Sequence, residues 1–479
     1  DKAKILSYIG SGSGTGKAFV GIGASVGVQD IDAGTTAKIE NSSIAGTSES
    51  IYGDLEVSAQ EESEIVSIVG TASGGLANMS GAFSVSANDV DTSTNAYIDS
   101  DENIKANAIK VATKNLANST IGVGSVSVGK ISVGMATAIA LSDNVVNAYL
   151  KGDDNSDSEI NGISANSIDV TADNIYNGDA DYTNEDNTTA KTVAIGGGVG
   201  TGEFAGTGSV TVNIIDNETK AHIDKGNYSV DGDVNVKANS QAHMFGLAGG
   251  VSVGVKAVGI GAAVDTQLLN ADTKAYVADE VTIQRAGNIS VEAKSIENIT
   301  SVATLAGISH YFAGAAAANA HDVNVNTEAY IGTDEAEDSK ETTISNAGNV
   351  SIVADDSSVI KANAGSAAVT VSATGSGVGT LSAAVEVLDK NVKASVGKTN
   401  IIAQNLTAKA KNVGNVITTA NGIAVAAALY GGGLSGSASE SIIDYTTDAH
   451  IAGGADITVS DSISIDADSN FSHTGEAAA

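Results

Sequence analysis

The sequence contains no cysteine, no proline and no tryptophan, and its aromatic content is only 4%. The absence of cysteine excludes disulfide bonds, cysteine-ligated zinc and thiol catalysis. The absence of proline suits a chain in which most backbone N–H groups donate to a strand ladder, because proline has no N–H to donate. The apolar content is instead rich in valine, isoleucine and alanine, which suit stacked strands around a thin interior.

Basic residues are also scarce, since Arg285 is the only arginine and the formal net charge is −33. Such a surface repels phosphate backbones, which argues against nucleic-acid binding. The longest apolar stretch, residues 422–434, is too short and too rich in glycine to span a bilayer, so we expect no membrane insertion of this segment. Residues 1–16 lack a basic segment followed by an apolar run, so we expect no targeting signal there.

The sequence does contain a phrase that returns eight times, an alanine followed by any residue and then an aliphatic one. The alanines of this phrase are Ala37, Ala96, Ala148, Ala221, Ala275, Ala329, Ala394 and Ala449. Successive alanines lie 59, 52, 73, 54, 54, 65 and 55 residues apart. This spacing indicates about eight irregular repeats of roughly 57 residues along the whole chain.

A second phrase follows each alanine phrase and alternates between apolar and polar residues, as in residues 288–293 and 349–354. A third, rich in glycine and alanine, still alternates, as in residues 251–255. Alternation with a period of two indicates β-strands, whose successive side chains point to opposite faces. The inward set is predicted to include Ile109, Val111, Ile289, Val291, Val350 and Ile352, and the outward set Lys110, Ser290, Glu292 and Ser351.

These patterns predict an all-β fold, a parallel β-helix (β-solenoid) that forms one continuous region over residues 1–479. A repeat of this length is expected to form about three coils of roughly 18–20 residues, because one coil of a solenoid is usually shorter. About 24 such coils would give a rod on the order of 110 Å long. The alternative is a row of separate β-sandwich domains, but a sandwich usually needs ~100 residues. Because the chain begins and ends inside the repeat pattern, we expect it to be a fragment of a longer protein.

Polar insertions are expected to leave the rod as loops at residues 151–159, 177–187 and 332–341. Two of them contain clusters of acidic residues that are candidates for calcium ligands, since calcium prefers six to eight oxygen atoms. The candidates are Asp153, Asn155, Asp157, Glu159, Asp334 and Asp338. The alternative is solvated loop charge, because Ser158 occupies the position of the EF-hand glycine and Ser164 that of its final glutamate. No other cofactor is expected.

The remaining motifs favour structural roles. Residues 10–17 resemble a phosphate-binding loop, but Ser11 stands at a required glycine and Ala18 at the magnesium-binding hydroxyl, so we expect a glycine-rich strand. His222 and His450 occupy the slot that tyrosine fills in four other alanine phrases, so we interpret them as repeat positions. His310 and His321 lie near Asp322 without a third ligand, and no nucleophile elbow is present.

The order of the three phrases resembles a known type of secreted repeat. The phrase around Ala329-Tyr330-Ile331, the strand Gly287-Asn288-Ile289-Ser290-Val291-Glu292-Ala293 and the glycine-valine stretches are similar to repeats of the filamentous-haemagglutinin class of Gram-negative adhesins. The similarity is closer to the fusobacterial leukotoxin-like filamentous adhesins and extends through all eight repeats. It implies a right-handed parallel β-helix, export by a type V route and an extracellular place at the bacterial cell surface, associated with the outer membrane.

We therefore expect a rod- or filament-forming structural segment of a secreted cell-surface adhesin that mediates attachment or forms surface fibres, without enzymatic activity. Its partners would be further repeats or other copies joined end to end, together with a surface receptor that the sequence does not identify. The alternative is a carbohydrate-active β-helix enzyme, a polysaccharide lyase or glycosidase, that uses paired carboxylates in a groove. A chain without tryptophan and with a single arginine favours the structural hypothesis.

Overall fold

The computed structural model describes residues 1–16, 19–44, 53–75, 78–152, 162–175, 189–256, 258–334 and 341–479. Within these ranges the chain forms strands and no helix, and hence none that is long and apolar enough to cross a membrane. The strands are β1 (Lys2–Thr15), β2 (Val20–Glu40), β3 (Leu55–Gly75), β4 (Met79–Asp99), β5 (Ile104–Lys105), β6 (Ala108–Lys151), β7 (Ile163–Ala165), β8 (Ser167–Asn174), β9 (Ala190–Asp224), β10 (Gly226–Val230), β11 (Val234–Gly254), β12 (Val258–Val277), β13 (Val281–Gln284), β14 (Ile289–Ser309), β15 (Phe312–Ile331), β16 (Thr342–Val371), β17 (Gly375–Val396), β18 (Thr399–Ala427), β19 (Tyr430–Ile451) and β20 (Asp456–Ala478). All of their pairings are parallel.

The strands form three sides of a coil that turns repeatedly in the same direction. The front sheet contains β1, β3, the first half of β6, β8, the start of β9, β11, β14 and the later parts of β16, β18 and β20. The back sheet contains β2, β4, the second half of β6, most of β9, β12, β15, β17 and β19. A short third side consists of β5, β7, β10, β13 and the first residues of β16 and β18. The predicted parallel β-solenoid is therefore confirmed.

Each sequence repeat forms one complete coil. The alanines of the repeated phrase pair directly with one another across the back sheet, from Ala37 with Ala96 to Ala394 with Ala449. The expectation of three short coils in each repeat, about 24 in a long rod, is therefore wrong. About eight coils, with strands roughly 4.8 Å apart, give a stack on the order of 40 Å high.

The expectation was wrong because the two broad sides are built from strands of unusual length. β14 of the front sheet has 21 residues and β15 of the back sheet has 20. At about 3.3 Å per residue, each broad side is roughly 70 Å wide. A coil can close around such long strands only if the two sheets lie directly against each other, and small inward residues make this possible.

Glycine allows the closest approach of the two broad sheets. A methyl group added at Gly307 of β14 would lie 2.6 Å from the carbonyl oxygen of Gly314 in β15. A methyl group at Gly196 would lie equally close, 2.6 Å from the carbonyl oxygen of Gly208. Any larger side chain at these positions would push the sheets apart, so the glycine-rich phrase of the sequence sets the distance between the sheets.

The largest apolar cluster lies where the short side joins the two broad sheets. There Ile98 at the end of β4, Ile104 of β5 and Ile109 of β6 have at most 1% of their surface exposed. All six residues predicted to face inward are buried to the same extent, namely Ile109, Val111, Ile289, Val291, Val350 and Ile352. Lys110 and Glu292, predicted to face outward, have 51% and 37% of their side chains exposed. The alternation of the sequence thus predicted the facing of these strands correctly.

Candidate functional surfaces and a buried ionic centre

Charged residues are rare in one half of both broad sheets, where the exceptions include Lys191 and Lys361 in one row of the front sheet, Glu476 of β20 and the buried Asp265 of β12. We call this half the uncharged flank, and it is the part of the coil nearest to the turn that leads from the front sheet to the back sheet. It comprises residues 65–75, 115–129, 244–254, 298–309, 362–371 and 412–427 of the front sheet and residues 20–29, 79–88, 131–142, 204–215, 312–320, 375–385 and 430–439 of the back sheet. None of these stretches contains Asp, Glu, Lys or Arg, while the rest of each sheet carries many.

The outer surface of the uncharged flank is apolar as well as uncharged. Val28 of β2, Leu381 of β17 and Ile423 of β18 point outward with 73%, 60% and 61% of their surface exposed. On the front side, two shallow depressions have small residues on their floor, including Gly70, Gly124, Gly197, Gly249 and Gly365. Large contiguous apolar surfaces of this kind usually mark a contact with another molecule.

The other half of the back sheet carries stacked carboxylates. Asp91 of β4 pairs in register with Asp143 of β6, which pairs with Asp216 of β9. Partial burial raises the pKa values of Asp91 and Asp143, and the charges of the neighbouring carboxylates raise them further. These acids lie on a flat stack of strands rather than across a groove, and paired carboxylates in a groove are what a glycosidase requires.

A ladder of aromatic rings covers the same half of the back sheet. Tyr97, Tyr149, His222, Tyr276 and Tyr330 stack with centroids 4.6 to 5.1 Å apart. Burial raises the pKa of Tyr149 to about 12. The interpretation of His222 as a repeat position is therefore confirmed, because its ring takes the place of one tyrosine in the stack.

Of the six candidate calcium ligands, the structure describes only Asp334. Asp153, Asn155, Asp157, Glu159 and Asp338 lie outside the described residues. Asp334 contacts two basic groups, with Lys393 Nζ at 3.0 Å and His450 Nε2 at 3.2 Å. Burial raises its pKa, but the hydrogen bonds from these two groups outweigh burial and lower the pKa overall. Among the described residues no group of three acidic or histidine side chains is placed to hold a metal ion, and calcium binding stays a prediction.

A cluster of three charged side chains lies in the interior, between the two broad sheets. We call it the buried ionic centre, and it consists of Glu297 of β14, Asp356 of β16 and Lys390 of β17, each at most 1% exposed. Lys390 Nζ contacts Asp356 Oδ1 directly and lies 3.6 Å from Glu297 Oε2. Asp356 and Glu297 reach it from two successive coils of the front sheet, and Lys390 comes from the back sheet.

Hydroxyl groups complete the buried ionic centre. Ser295 donates to Glu297 Oε1 at 2.6 Å, and Thr327 donates to Asp356 Oδ2 at 2.9 Å. Lys390 Nζ donates to Ser358 Oγ at 3.1 Å. Burial raises the pKa of Glu297 to about 8, with a further contribution from the charge of Asp356. Burial thus favours the protonated form of Glu297, and the opposite charges of Lys390 and Asp356 offset each other.

A second buried polar cluster lies between the same two sheets, nearer the uncharged flank. His321 Nδ1 of β15 lies 2.6 Å from Glu386 Oε2 of β17, and both side chains are fully buried. The neighbouring Asp265 accepts hydrogen bonds from Gln267 at 2.9 Å and from Ser301. The sequence had associated His321 with Asp322, but Asp322 points outward and the partner of His321 comes from the next coil.

Sequence reasoning missed both buried clusters, although a signal for them exists. Lys390 stands between Leu388 and Val392 in strict alternation, which places it on the inward side of β17. Glu297 follows the same rule in β14, two residues before the buried Ile299. A charged residue at an inward position of an alternating strand needs a partner from another strand. Which strand supplies it depends on the length of the coil, which the sequence analysis predicted wrongly.

The phosphate-loop and nucleophile motifs give no site in the described residues. Residues 2–15, which include most of the glycine-rich motif, form the straight strand β1, as expected, while Lys17 lies outside the described residues. Comparisons of the chain with models of protein families, with curated proteins and with solved structures found no match. The resemblance to filamentous adhesins therefore rests on the three repeated phrases alone.

Proposed function

We propose that this chain is a rod- or filament-forming structural segment of a secreted bacterial cell-surface adhesin, which mediates attachment or forms surface fibres. The observation that carries the proposal is the stack of in-register coils with an outer surface divided into a charged half and an uncharged flank. A solid stack of this kind suits a scaffold that displays its outer surface. The resemblance of the repeated phrases to filamentous adhesins supports the extracellular location.

The ends of the stack support growth along its axis. Within the described chain, β1 and β2 at one end and β19 and β20 at the other each pair on one broad edge only. An unpaired edge presents a row of free N–H and C=O groups to another strand. We therefore propose that further coils, from this chain or from another copy, continue the stack end to end.

The uncharged flank supports contact between stacks that lie side by side. On the back sheet its outward residues form about five rows across seven strands, an area of about 1,000 Å². A stable interface needs about 800 Å² per partner, so this face is large enough for a second copy of the chain. The stacked carboxylates lie in the other half of the sheet, so two copies joined through this face can keep most of their negative charges apart.

Electron microscopy and light scattering test this proposal. Negatively stained protein should show stacks joined end to end or side by side, and the scattering mass should rise with protein concentration. Val28→Glu adds a charge to the outer side of β2 within the uncharged flank and should reduce lateral association. Thr36→Glu adds the same charge to the outer side of the same strand in the charged half and should have little effect.

Two results would contradict the proposal. One is a single stack that keeps its monomer mass at all concentrations and fails to attach to any surface. The other is hydrolysis or cleavage of a polysaccharide by the purified chain, which would favour the alternative of a carbohydrate-active enzyme. The variants Asp91→Asn and Asp143→Asn would then show whether the stacked carboxylates take part in the reaction.

A further inference from the structure

The buried ionic centre differs from every other lysine–carboxylate pair in the described part of the chain. Lys390 is the only described lysine that is fully buried, whereas Lys110 and Lys411 have 51% and 38% of their side chains exposed in their ion pairs. Burial removes the hydration of both charges of an ion pair, and this cost offsets much of the attraction between them. A buried ion pair is therefore weak evidence for a purely stabilising role. Its composition, an amine between two carboxyl groups in a dry interior, therefore calls for a chemical explanation.

The atoms are placed for a reaction between the amine and one carboxyl group. Asp356 Oδ1 is buried without a hydrogen-bond partner and touches Lys390 Nζ. Glu297 Oε2 is also buried without a hydrogen-bond partner and lies 3.6 Å from the same nitrogen. The other carboxyl oxygen of each acid is held by a hydroxyl donor, Thr327 for Asp356 and Ser295 for Glu297. The two free oxygens therefore face the amine.

We propose that Lys390 and Asp356 condense to form an isopeptide bond that joins the front sheet to the back sheet, with Glu297 as the catalytic residue that transfers the protons. The new bond links Lys390 Nζ to Asp356 Cγ, and the bond from Asp356 Cγ to one of its oxygens breaks. That oxygen leaves as one molecule of water. No oxidant, reductant or second substrate is required.

The protons balance through the two carboxyl groups. Transfer of one proton from the ammonium group of Lys390 to Asp356 gives a neutral amine and a carboxylic acid, the pair that can react. During attack the protonated Glu297 gives its proton to the departing hydroxyl, which leaves as water, and then takes the proton that the nitrogen releases, so it ends the reaction protonated as it began. Its raised pKa, caused by burial, suits a group that both gives and takes protons near neutral pH.

The interior supplies the driving force that free solution lacks. Amide formation between separate molecules is unfavourable in water, but groups held in contact react with effective concentrations of about 10⁵ M or more. A dry interior also favours uncharged reactants and releases the water that forms. The product would close the segment between residues 356 and 390, which contains the turn from the front sheet to the back sheet, and would staple the two sheets of that coil covalently.

Intact-mass spectrometry of the folded, then denatured, full chain tests the proposal. The measured mass should fall below the sequence mass by one water molecule. Fragmentation after proteolysis should locate that loss in one cross-linked product that joins the peptide containing Asp356 to the peptide containing Lys390. A folded wild-type chain with the full sequence mass would overturn the proposal, as would a water loss located at another residue.

Substitutions of Asp356, Lys390 and Glu297 test the role of each residue in bond formation. Asp356→Ala and Lys390→Arg each remove one reacting group and should restore the full mass. Glu297→Gln keeps both reacting groups and should slow bond formation by about 100-fold or more. Lys411→Arg alters the exposed pair with Asp355, where the atoms are 3.2 Å apart, and should keep the water loss. A Glu297→Gln chain that forms the bond as fast as the wild type would show that Glu297 is not the catalytic residue.

Discussion

Strand β14 crosses both halves of the molecule and shows how differently they are built. Near its start, Ile289 and Val291 point into the large aliphatic cluster and Glu292 points outward with its charge. Near its end, the inward position is Gly307, which faces the back sheet at close range, and the outward position is the exposed and uncharged Ile308. One strand thus passes from a thick interior under a charged surface to a thin interior under an apolar surface.

The difference between the thick and the thin interior follows from the number of sheets that enclose each of them. Near the short third side the coil is triangular, and the space between three strands accommodates isoleucine and leucine side chains. On the uncharged flank only two sheets meet, and alanine and glycine fill the narrow gap. Because a thin interior buries less apolar area per residue, it contributes less hydrophobic stabilisation. The flank therefore gains more than the charged half from being covered by another molecule.

The largest effect is expected in the thick interior. Val291→Asp places an unpaired carboxylate among aliphatic side chains and should destabilise the stack by at least about 4 kcal/mol, which unfolds neighbouring coils. Ser290→Asp adds the same charge to the outer side of β14 and should change the free energy of unfolding by no more than about 0.5 kcal/mol. Urea unfolding followed by circular dichroism checks both, and equal midpoints would contradict the assigned facing of β14.

The thin interior should respond to volume rather than to charge. Gly307→Val would force a side chain into the backbone of β15 and should cost about 2–3 kcal/mol. Gly365→Ala provides a matched control on the outer side of β16, where an added methyl group meets no atom within 4 Å. Thermal unfolding of both variants measures the contrast. A Gly307→Val chain as stable as the wild type would show that the two sheets are not in close contact.

The buried ionic centre predicts a dependence of stability on pH. The folded chain binds a proton on Glu297 up to about pH 8, whereas the unfolded chain releases it near the ordinary value of 4.5. Because the folded state binds more protons between these values, the free energy of unfolding should decrease as the pH rises through this window and level off above it. Glu297→Gln should flatten this slope, and because the variant also slows the proposed bond, both proteins are compared in the same bonded state as established by mass spectrometry. Stability that increases between pH 5 and pH 8 in the wild type, but not in the variant, would contradict the prediction.

The smallest effect is expected in the aromatic ladder of the charged half. Tyr276→Ala removes the ring that stacks on His222 at 4.6 Å and on Tyr330 at 4.8 Å, and should cost about 1–2 kcal/mol. Tyr276→His keeps a flat ring in the stack and should cost clearly less, because His222 already occupies the same position one coil earlier. Hydrogen exchange of the backbone amides of β12 measures the local loss. Equal protection in the two variants would mean that stacking contributes nothing.

Much of the fold could be predicted from the sequence because β-strand alternation is a local property. The facing of Ile289 and Val291, the repeat of the alanine phrase and the glycine-rich strand near the start of the chain all depend on neighbouring residues only. The length of one coil depends instead on how far the two sheets extend before the chain turns. Local pattern does not encode that distance, and so the number of coils was predicted wrongly.

The candidate sites were harder to predict for the same reason. Asp356 of β16 pairs with Ser295 of β14, which lies 61 residues earlier in the chain and two residues before Glu297. The two acids become neighbours, and both reach Lys390, only because the coils stack in this register. The uncharged flank likewise becomes one surface only when stretches from every repeat stack in register. The aggregate charge of −33 gave no indication that most of the charges lie in one half of each sheet.

The sequence by itself determined the strand content, the parallel stacking of repeats and the facing of each side chain, because alternation and repetition act along the chain. The tertiary structure decided that one repeat makes one coil, that the charged and apolar surfaces lie side by side on the same sheets, and that a lysine meets two carboxyl groups in the interior. These features depend on contacts across coils, where the width of the sheets sets which residues become neighbours.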